Sequence, residues 1–323
     1  MNYNFQAQRS LTTRALLIAF TLLSNISMSA EETPVVASSL YGIDSASQYT
    51  PLFFELVDRH EQTHTIAAHH WRKPSKKLAV LAHGYLDNCG YLKPVNRWFL
   101  QQKFDVICVE LPGHGNSSGA RADIDDMLVY FDVYKSIFPK LFEMDYQAFV
   151  FFAHSAGNVG MTEYLLDQNP HQFDHIFMAA PLIRSKHWEL SVFAYNAAHE
   201  FVSSVPRRTQ HKDIPEYQAL LKHDPSPIKW SPLNWFASLQ RWNTSLENDK
   251  RIAKDKITVM FAEDDSVIDT EFNKAFIEKR FPNAEIHVFE GSDHMLHYEE
   301  EAIRDNFFKT IENRLKQTVE NSN

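Results

Sequence analysis

Seven stretches of the chain are rich in apolar and β-branched residues: 63–71 (THTIAAHHW), 77–83 (KLAVLAH), 104–111 (FDVICVEL), 148–154 (AFVFFAH), 175–181 (HIFMAAP), 256–262 (KITVMFA) and 285–291 (EIHVFEG). The later ones are continuous apolar runs rather than alternating ones, as strands buried on both faces are. Helical patterns lie between them, over roughly 91–102, 123–138, 157–168, 270–281 and 299–317. Strand and helix alternate, so the pattern predicts an α/β fold with a mostly parallel central sheet and helices on both faces. Residues 182–250 break the rhythm. They carry Trp188, Trp230, Trp235 and Trp242 among helical pieces, with Pro206, Pro215, Pro225, Pro227 and Pro232. A connection this long predicts a helical cap or lid. The expected core is then 31–181 together with 251–323, and the expected cap 182–250.

The stretch Val150–Gly160 reads as a strand that stops abruptly and a helix that starts at once, with Ser155 at the corner between Ala153, Ala156 and Gly157. A serine hydroxyl is a poor nucleophile until a base takes its proton and the backbone holds it exposed. A tight strand-to-helix turn does the second, and its usual pattern is G-x-S-x-G. Here Ala153 replaces the first glycine, at the cost of one methyl group. The Ala156 amide falls at a helix start, where backbone donors face developing negative charge. Taken alone, an ordinary small-residue turn would read the same way.

Further residues fall at strand ends. Gly84 follows the strand at 77–83 and lets the backbone approach a ligand, which makes the Tyr85 amide a second candidate oxyanion donor. His83 reads as a core histidine. Asp265 follows the strand at 256–262 and His294 the strand at 285–291. Open α/β sheets keep their chemistry at the carboxyl ends of strands. The order Ser155, Asp265, His294 is the order of nucleophile, acid and base that a catalytic triad takes in this architecture. Glu263 and Asp264 are passed over as acids. His297 reads as a helix-start or supporting residue.

With LAHGYLDN (81–88), VELPGHGNSSG (109–119), AHSAGN (153–158), MFAEDDSVID (260–269) and FEGSDHMLH (289–297), the chain resembles the α/β-hydrolase superfamily, in the branch of monoacylglycerol lipases, bacterial lysophospholipases and S33-type serine hydrolases. The resemblance covers most of the chain past residue 30, but is vague over 182–250. It implies Ser155 as nucleophile, His294 as base, Asp265 as acid, and Tyr85 and Ala156 as the oxyanion hole. It implies ester hydrolysis through an acyl-enzyme, with no metal or organic cofactor. A peptidase on the same triad is the alternative, and a non-catalytic binding module would be expected to lack one of these groups.

A rival motif is HEQTH at 60–64, which matches the H-E-x-x-H of zinc proteases. That chemistry needs His60 and His64 on one helical face. Thr63, Thr65 and Ile66 are β-branched and continue as a strand, so we read a polar hairpin loop. His69 and His70, adjacent in that strand, point to opposite faces.

Composition narrows the picture. The chain has 323 residues, which suits one large α/β domain or two smaller ones, and at 44% hydrophobic and 23% charged it can form a globular core. The net charge of -9 argues against a nucleic-acid partner. Arg9 and Arg14 precede ALLIAFTLLSNI and the small residues SMSA, the pattern of a secretory signal over residues 1–30. Export is expected, to the periplasm in the simplest reading, with secretion or an uncleaved anchor as alternatives. Cys89 and Cys108 read as two separate thiols, because Cys108 sits in an apolar strand run. The aromatic residues of 182–250 are expected mostly to form that segment's own core. Arg184, Lys186, Arg207, Arg208, Lys212, Lys222 and Lys229 give a weak hint of an anionic head group. The expected partner is a small acyl ester or lipid, with transient membrane-surface contact through the cap.

Overall fold

The computed structural model describes residues 48–207, 214–224 and 226–320. The signal pattern at 1–30, and Arg208, Lys212 and Pro225, lie outside the described residues.

An eight-stranded sheet is built from β1 (Gln48–Val57), β2 (Thr63–Arg72), β3 (Lys77–Ala82), β4 (Asp105–Val109), β5 (Ala148–His154), β6 (Phe173–Ala179), β9 (Ile257–Ala262) and β10 (Glu285–Phe289). The spatial order is β1-β2-β4-β3-β5-β6-β9-β10. β1 pairs antiparallel with β2, and β2 with β4; all other pairings in this sheet are parallel. The helices are α1 (Lys93–Gln101), α2 (Leu128–Phe142), α3 (Gly157–Leu166), α4 (Trp188–Ala198), α5 (Pro215–His223), α6 (Leu233–Asn248), α7 (Thr270–Arg280) and α8 (Glu301–Glu320). A short antiparallel ribbon, β7 (Ser204–Pro206) with β8 (Trp230–Pro232), lies within the insertion.

The continuous apolar runs are explained by two cores. Leu78, Val80, Ala82, Phe149, Phe151 and Ala153 face one side, with α2 and α3. Their neighbours Ala79, Leu81, Val150 and Phe152 face the other, with Val95 and Phe99 of α1 and Phe307 and Ile311 of α8. Alternate residues of one strand point to opposite faces, so a strand covered on both must be apolar throughout.

Three sequence expectations change. The reading missed β1, a half-exposed edge strand that contains Pro51 and whose only strand partner among the described residues is β2. The helix expected over 123–138 starts at Leu128, because residues 111–127 form a chain of turns. Cys89 and Cys108 are a disulfide, with Cα atoms 5.9 Å apart. The 3₁₀ turn after β3 carries Cys89 over to β4, a proximity that spacing along the chain does not reveal.

HEQTH forms the β1–β2 turn and the start of β2. His60 bonds Asp126 and His64 bonds Asp58, so the two histidines engage different carboxylates. Glu61 has φ +61°, as a tight hairpin turn requires and a helix forbids.

Candidate active site

Ser155 follows the last residue of β5 and precedes α3 by one residue. Its φ is +51°, a left-handed conformation that costs a non-glycine residue roughly 1 kcal/mol or more. The surroundings hold it there: the Ser155 amide donates to the Ala179 carbonyl at 2.9 Å, and the Asn158 amide donates to the Ser155 carbonyl at 3.0 Å. The neighbours must be small because β3 and α3 nearly touch. A methyl group on Gly157 would stand 2.7 Å from the His83 carbonyl oxygen, and one on Gly84 3.2 Å from Ser155 Cβ. Ala153 is tolerated because its methyl group packs into the sheet core.

Asp265 and His294 come from the loops after β9 and β10. His294 Nδ1 lies 2.8 Å from Asp265 Oδ2, and both side chains are buried. The other Asp265 oxygen accepts the Val267 and Ile268 amides at 2.8 and 2.9 Å. The two loops are tied together, since Asp293 accepts from Ser266 and from the His294 amide, and the Asp264 amide donates to the Ser292 carbonyl. Glu263 and Asp264 are exposed, so burial singles out Asp265 among the three acids. His154 brings the serine corner to this pair: its ring packs 4.7 Å from the His294 ring, and its Nε2 donates to the His294 carbonyl.

The two candidate oxyanion amides flank this corner. Neither the Tyr85 nor the Ala156 N–H donates to a protein acceptor among the described residues. The peptide between Gly84 and Tyr85 has its direction set from the other side. The Gly84 carbonyl accepts from His83 Nδ1 at 2.8 Å and from the Asp87 amide at 3.3 Å. In a trans peptide the N–H points opposite the C=O, so the Tyr85 amide faces away from those donors. The Leu111 amide donates to His83 Nε2 and the Leu86 amide to His114 Nε2. Both rings are therefore neutral Nδ1–H tautomers, and burial holds both pKa values below the ordinary range.

Residues 73–301 match the family described as serine aminopeptidase, S33. The chain belongs to this S33 family of α/β hydrolases. No curated protein sequence matches it significantly. Among solved structures it is similar to a monoacylglycerol lipase of Paleococcus ferrophilus (18% identity, TM-score 0.63, 78% of this chain and 99% of that one). It is also similar to a soluble variant of the Saccharomyces cerevisiae monoglyceride lipase in complex with a substrate analogue (16%, TM-score 0.64, 83% and 97%) and to the α/β hydrolase GrgF from Penicillium (15%, TM-score 0.65, 85% and 98%). At such identities the likeness is one of fold, and it agrees with the eight-stranded sheet.

In this S33 hydrolase, sequence reasoning missed the groups that hold the Gly84–Asp87 turn. Buried Asp87 pairs at 2.7 Å with half-buried Arg207, which also reaches the Leu86 carbonyl and the Tyr217 hydroxyl. Burial works against the Arg207 charge, but Asp87 together with Tyr217 and Tyr91 outweighs it and keeps the guanidinium pKa above its ordinary value. No sequence motif marks a pair 120 residues apart. Arg184 is likewise bound, to Asn243 and Glu247. The weak hint of an anionic head group loses force with both arginines neutralised. Trp188, Trp235 and Trp242 are buried, but in the core on the α2 and α3 side of the sheet rather than in a core of the segment's own, with Trp235 donating to the Tyr130 hydroxyl and Trp242 to Glu163; Phe193, Phe201 and Trp230 are exposed.

One set of metal-type side chains converges among the described residues: His69, Cys89 and Glu110. Cys89 is bound in the disulfide and His69 Nε2 lies 3.1 Å from Glu110 Oε1, so these donors already have partners. A cleft of about 610 Å³ between Arg184, Trp188 and Thr270 borders Asp265, without Ser155 or His294 in its lining.

Proposed function

We propose that this protein is a serine hydrolase of carboxylic esters of lipid type, monoacylglycerol or lysophospholipid, acting through an acyl-enzyme on Ser155. The observation that carries the reading is the left-handed Ser155 at the strand–helix corner, whose neighbour His154 packs against His294, itself bonded to a buried Asp265. Because Nδ1 of His294 donates to Asp265, Nε2 is the nitrogen left to take the Ser155 proton. The serine oxygen attacks the ester carbonyl, and the Tyr85 and Ala156 amides hold the tetrahedral oxyanion, a contribution of about 3 kcal/mol per donor. His294 returns its proton to the departing alcohol, and water repeats the sequence to release the acid. Asp265 holds the imidazole tautomer and stabilises its cation.

The lipid preference is supported by the insertion. Leu190, Phe193, Phe201 and Trp230 are exposed on it, an apolar surface suited to an acyl chain or a lipid aggregate. In this reading residues 182–250 are a cap that touches a membrane surface transiently. The signal pattern and the disulfide support export to an oxidising compartment. The second reading, a peptidase on the same groups, is favoured only by the name of the matching family.

One panel tests the proposal. A fluorophosphonate probe should label wild type and not Ser155→Ala. Turnover should rise along p-nitrophenyl esters of increasing chain length, with monoolein or lysophosphatidylcholine hydrolysed and aminoacyl p-nitroanilides left intact. Labelling that survives in Ser155→Ala sinks the site, and anilide turnover above ester turnover moves the protein to the peptidase reading.

A further inference from the structure

The Gly84–Asp87 turn carries an unusual backbone. Leu86, third of its four residues, has φ +66°, and the Asp87 amide closes the turn on the Gly84 carbonyl. That is the position where turns of this hand ordinarily need glycine or asparagine. A leucine stays there only if its surroundings over-determine it. From the sheet side, His114 Nε2 accepts the Leu86 amide at 3.1 Å. From the insertion side, Arg207 donates to the Leu86 carbonyl and, through Nη2 at 2.7 Å, to Asp87 Oδ1. Arg207 is itself braced. It follows β7 directly, its amide donates to the Lys229 carbonyl at 2.8 Å, and Nη2 also reaches the Tyr217 hydroxyl at 2.9 Å. The insertion holds the turn a second way: Ser231 of β8 lies 3.0 Å from the Tyr85 hydroxyl, and Trp235 of α6 stacks on the Tyr85 ring at 3.6 Å.

We propose that Arg207 is a positioning residue: the insertion, through this guanidinium, clamps the Gly84–Asp87 turn in the form that aims the Tyr85 amide at the oxyanion. This rests on the serine-hydrolase reading above. The planar fork is what allows one side chain to bridge a carbonyl and a carboxylate at once, and a lysine ammonium cannot reproduce it. The insertion is then part of the catalytic apparatus as well as a cover.

The test uses the full-length protein and p-nitrophenyl butyrate. Arg207→Met should lower kcat by about 10- to 100-fold, a misplaced donor costing somewhat less than a deleted one, with KM changed less than about threefold. A trifluoromethyl ketone, which forms a tetrahedral adduct on the serine, should lose affinity by the same factor as kcat. The matching methyl ketone, which binds without forming the adduct, should not. Arg207→Lys should recover only part of the loss. If Arg207→Met does not fold, Asp87→Asn removes the same ion pair with an isostere and should show the same split. A variant with full kcat and full trifluoromethyl ketone affinity, or one that loses only KM, overturns the clamp. Fluorophosphonate labelling separates the two ideas. Unlabelled wild-type Ser155 overturns the hydrolase reading, whereas labelled wild type with an unimpaired Arg207→Met overturns this proposal alone.

Discussion

His294 and His297 are three positions apart, and the fold gives them different work. His294 meets buried Asp265 through Nδ1. His297 is fully buried in the short turn Leu296–Tyr298, and its Nε2 donates to the Tyr91 carbonyl at 3.2 Å. In the proposed mechanism His294→Ala should cut kcat by roughly three or more orders of magnitude, because triad members act as a unit. His297→Ala should cost about tenfold, through a displaced Tyr91 segment and His154, whose ring packs against His297. Steady-state kinetics on variants of native circular dichroism decides it. A dead His297→Ala beside an active His294→Ala would reverse the assignment.

At the scale of elements, the Cys89–Cys108 bridge ties the turn after β3 to β4, directly downstream of the residues that carry the candidate oxyanion amide. It closes a loop of 19 residues' separation, for which the chain-entropy argument gives about 3 kcal/mol. The double variant Cys89→Ala/Cys108→Ala should therefore melt on the order of 10 °C lower, at roughly 2–4 °C per kcal/mol for a domain of this size. Thiol titration of denatured, unreduced protein should find no free thiol. Two free thiols would show that the bridge does not form, and an unchanged Tm that it constrains nothing.

For the whole molecule, buried histidines contribute to the acid limit, beside carboxylates such as Asp58, Asp249 and Asp255 that the fold holds below their ordinary range. Burial pushes His70 down to about 4 and His175 down to about 3, and lowers His83 and His114 as well. Nearby Arg72 adds to the shift of His70, and Arg314 to that of His175. The unfolded chain takes up protons on these rings near pH 6.5, and the folded one does not until far lower. Folding therefore releases protons in acid, and stability that is complete above about pH 6.5 falls as the pH drops toward 3. Glu110, held low in spite of its burial by its bond to His69, acts in the same direction below its ordinary range, while Asp87, raised by burial, opposes it. Thermal melts should show a flat Tm from pH 8 to 7 and a steady decline from about 6.5. His70→Gln, which can keep a bond to the Tyr146 hydroxyl, should make that decline shallower between 6.5 and 4. A Tm constant from pH 7 to 4.5 would refute the linkage.

The parallel strands and the flanking helices could be read from the sequence because burial on both sheet faces leaves a local mark: unbroken apolar runs such as 148–154, cut by turns with small residues. The order of Ser155, Asp265 and His294 was legible for the same reason, since each follows the end of a strand and the architecture sends those ends to one edge. Edge strand β1 was not legible, because Pro51 argues against a strand and apolar residues stand on both faces, with Leu52, Phe54 and Leu56 toward the core and Phe53 and Val57 exposed, so that no clean alternation shows. Nor were the Cys89–Cys108 bridge and the Asp87–Arg207 pair. Those partners meet only once β3 lies beside β4 and the insertion has folded back over the Gly84–Asp87 turn. Contacts of that kind are set by the geometry of the assembled sheet. Hydrophobic period and turn chemistry act over a few residues and carry no record of them.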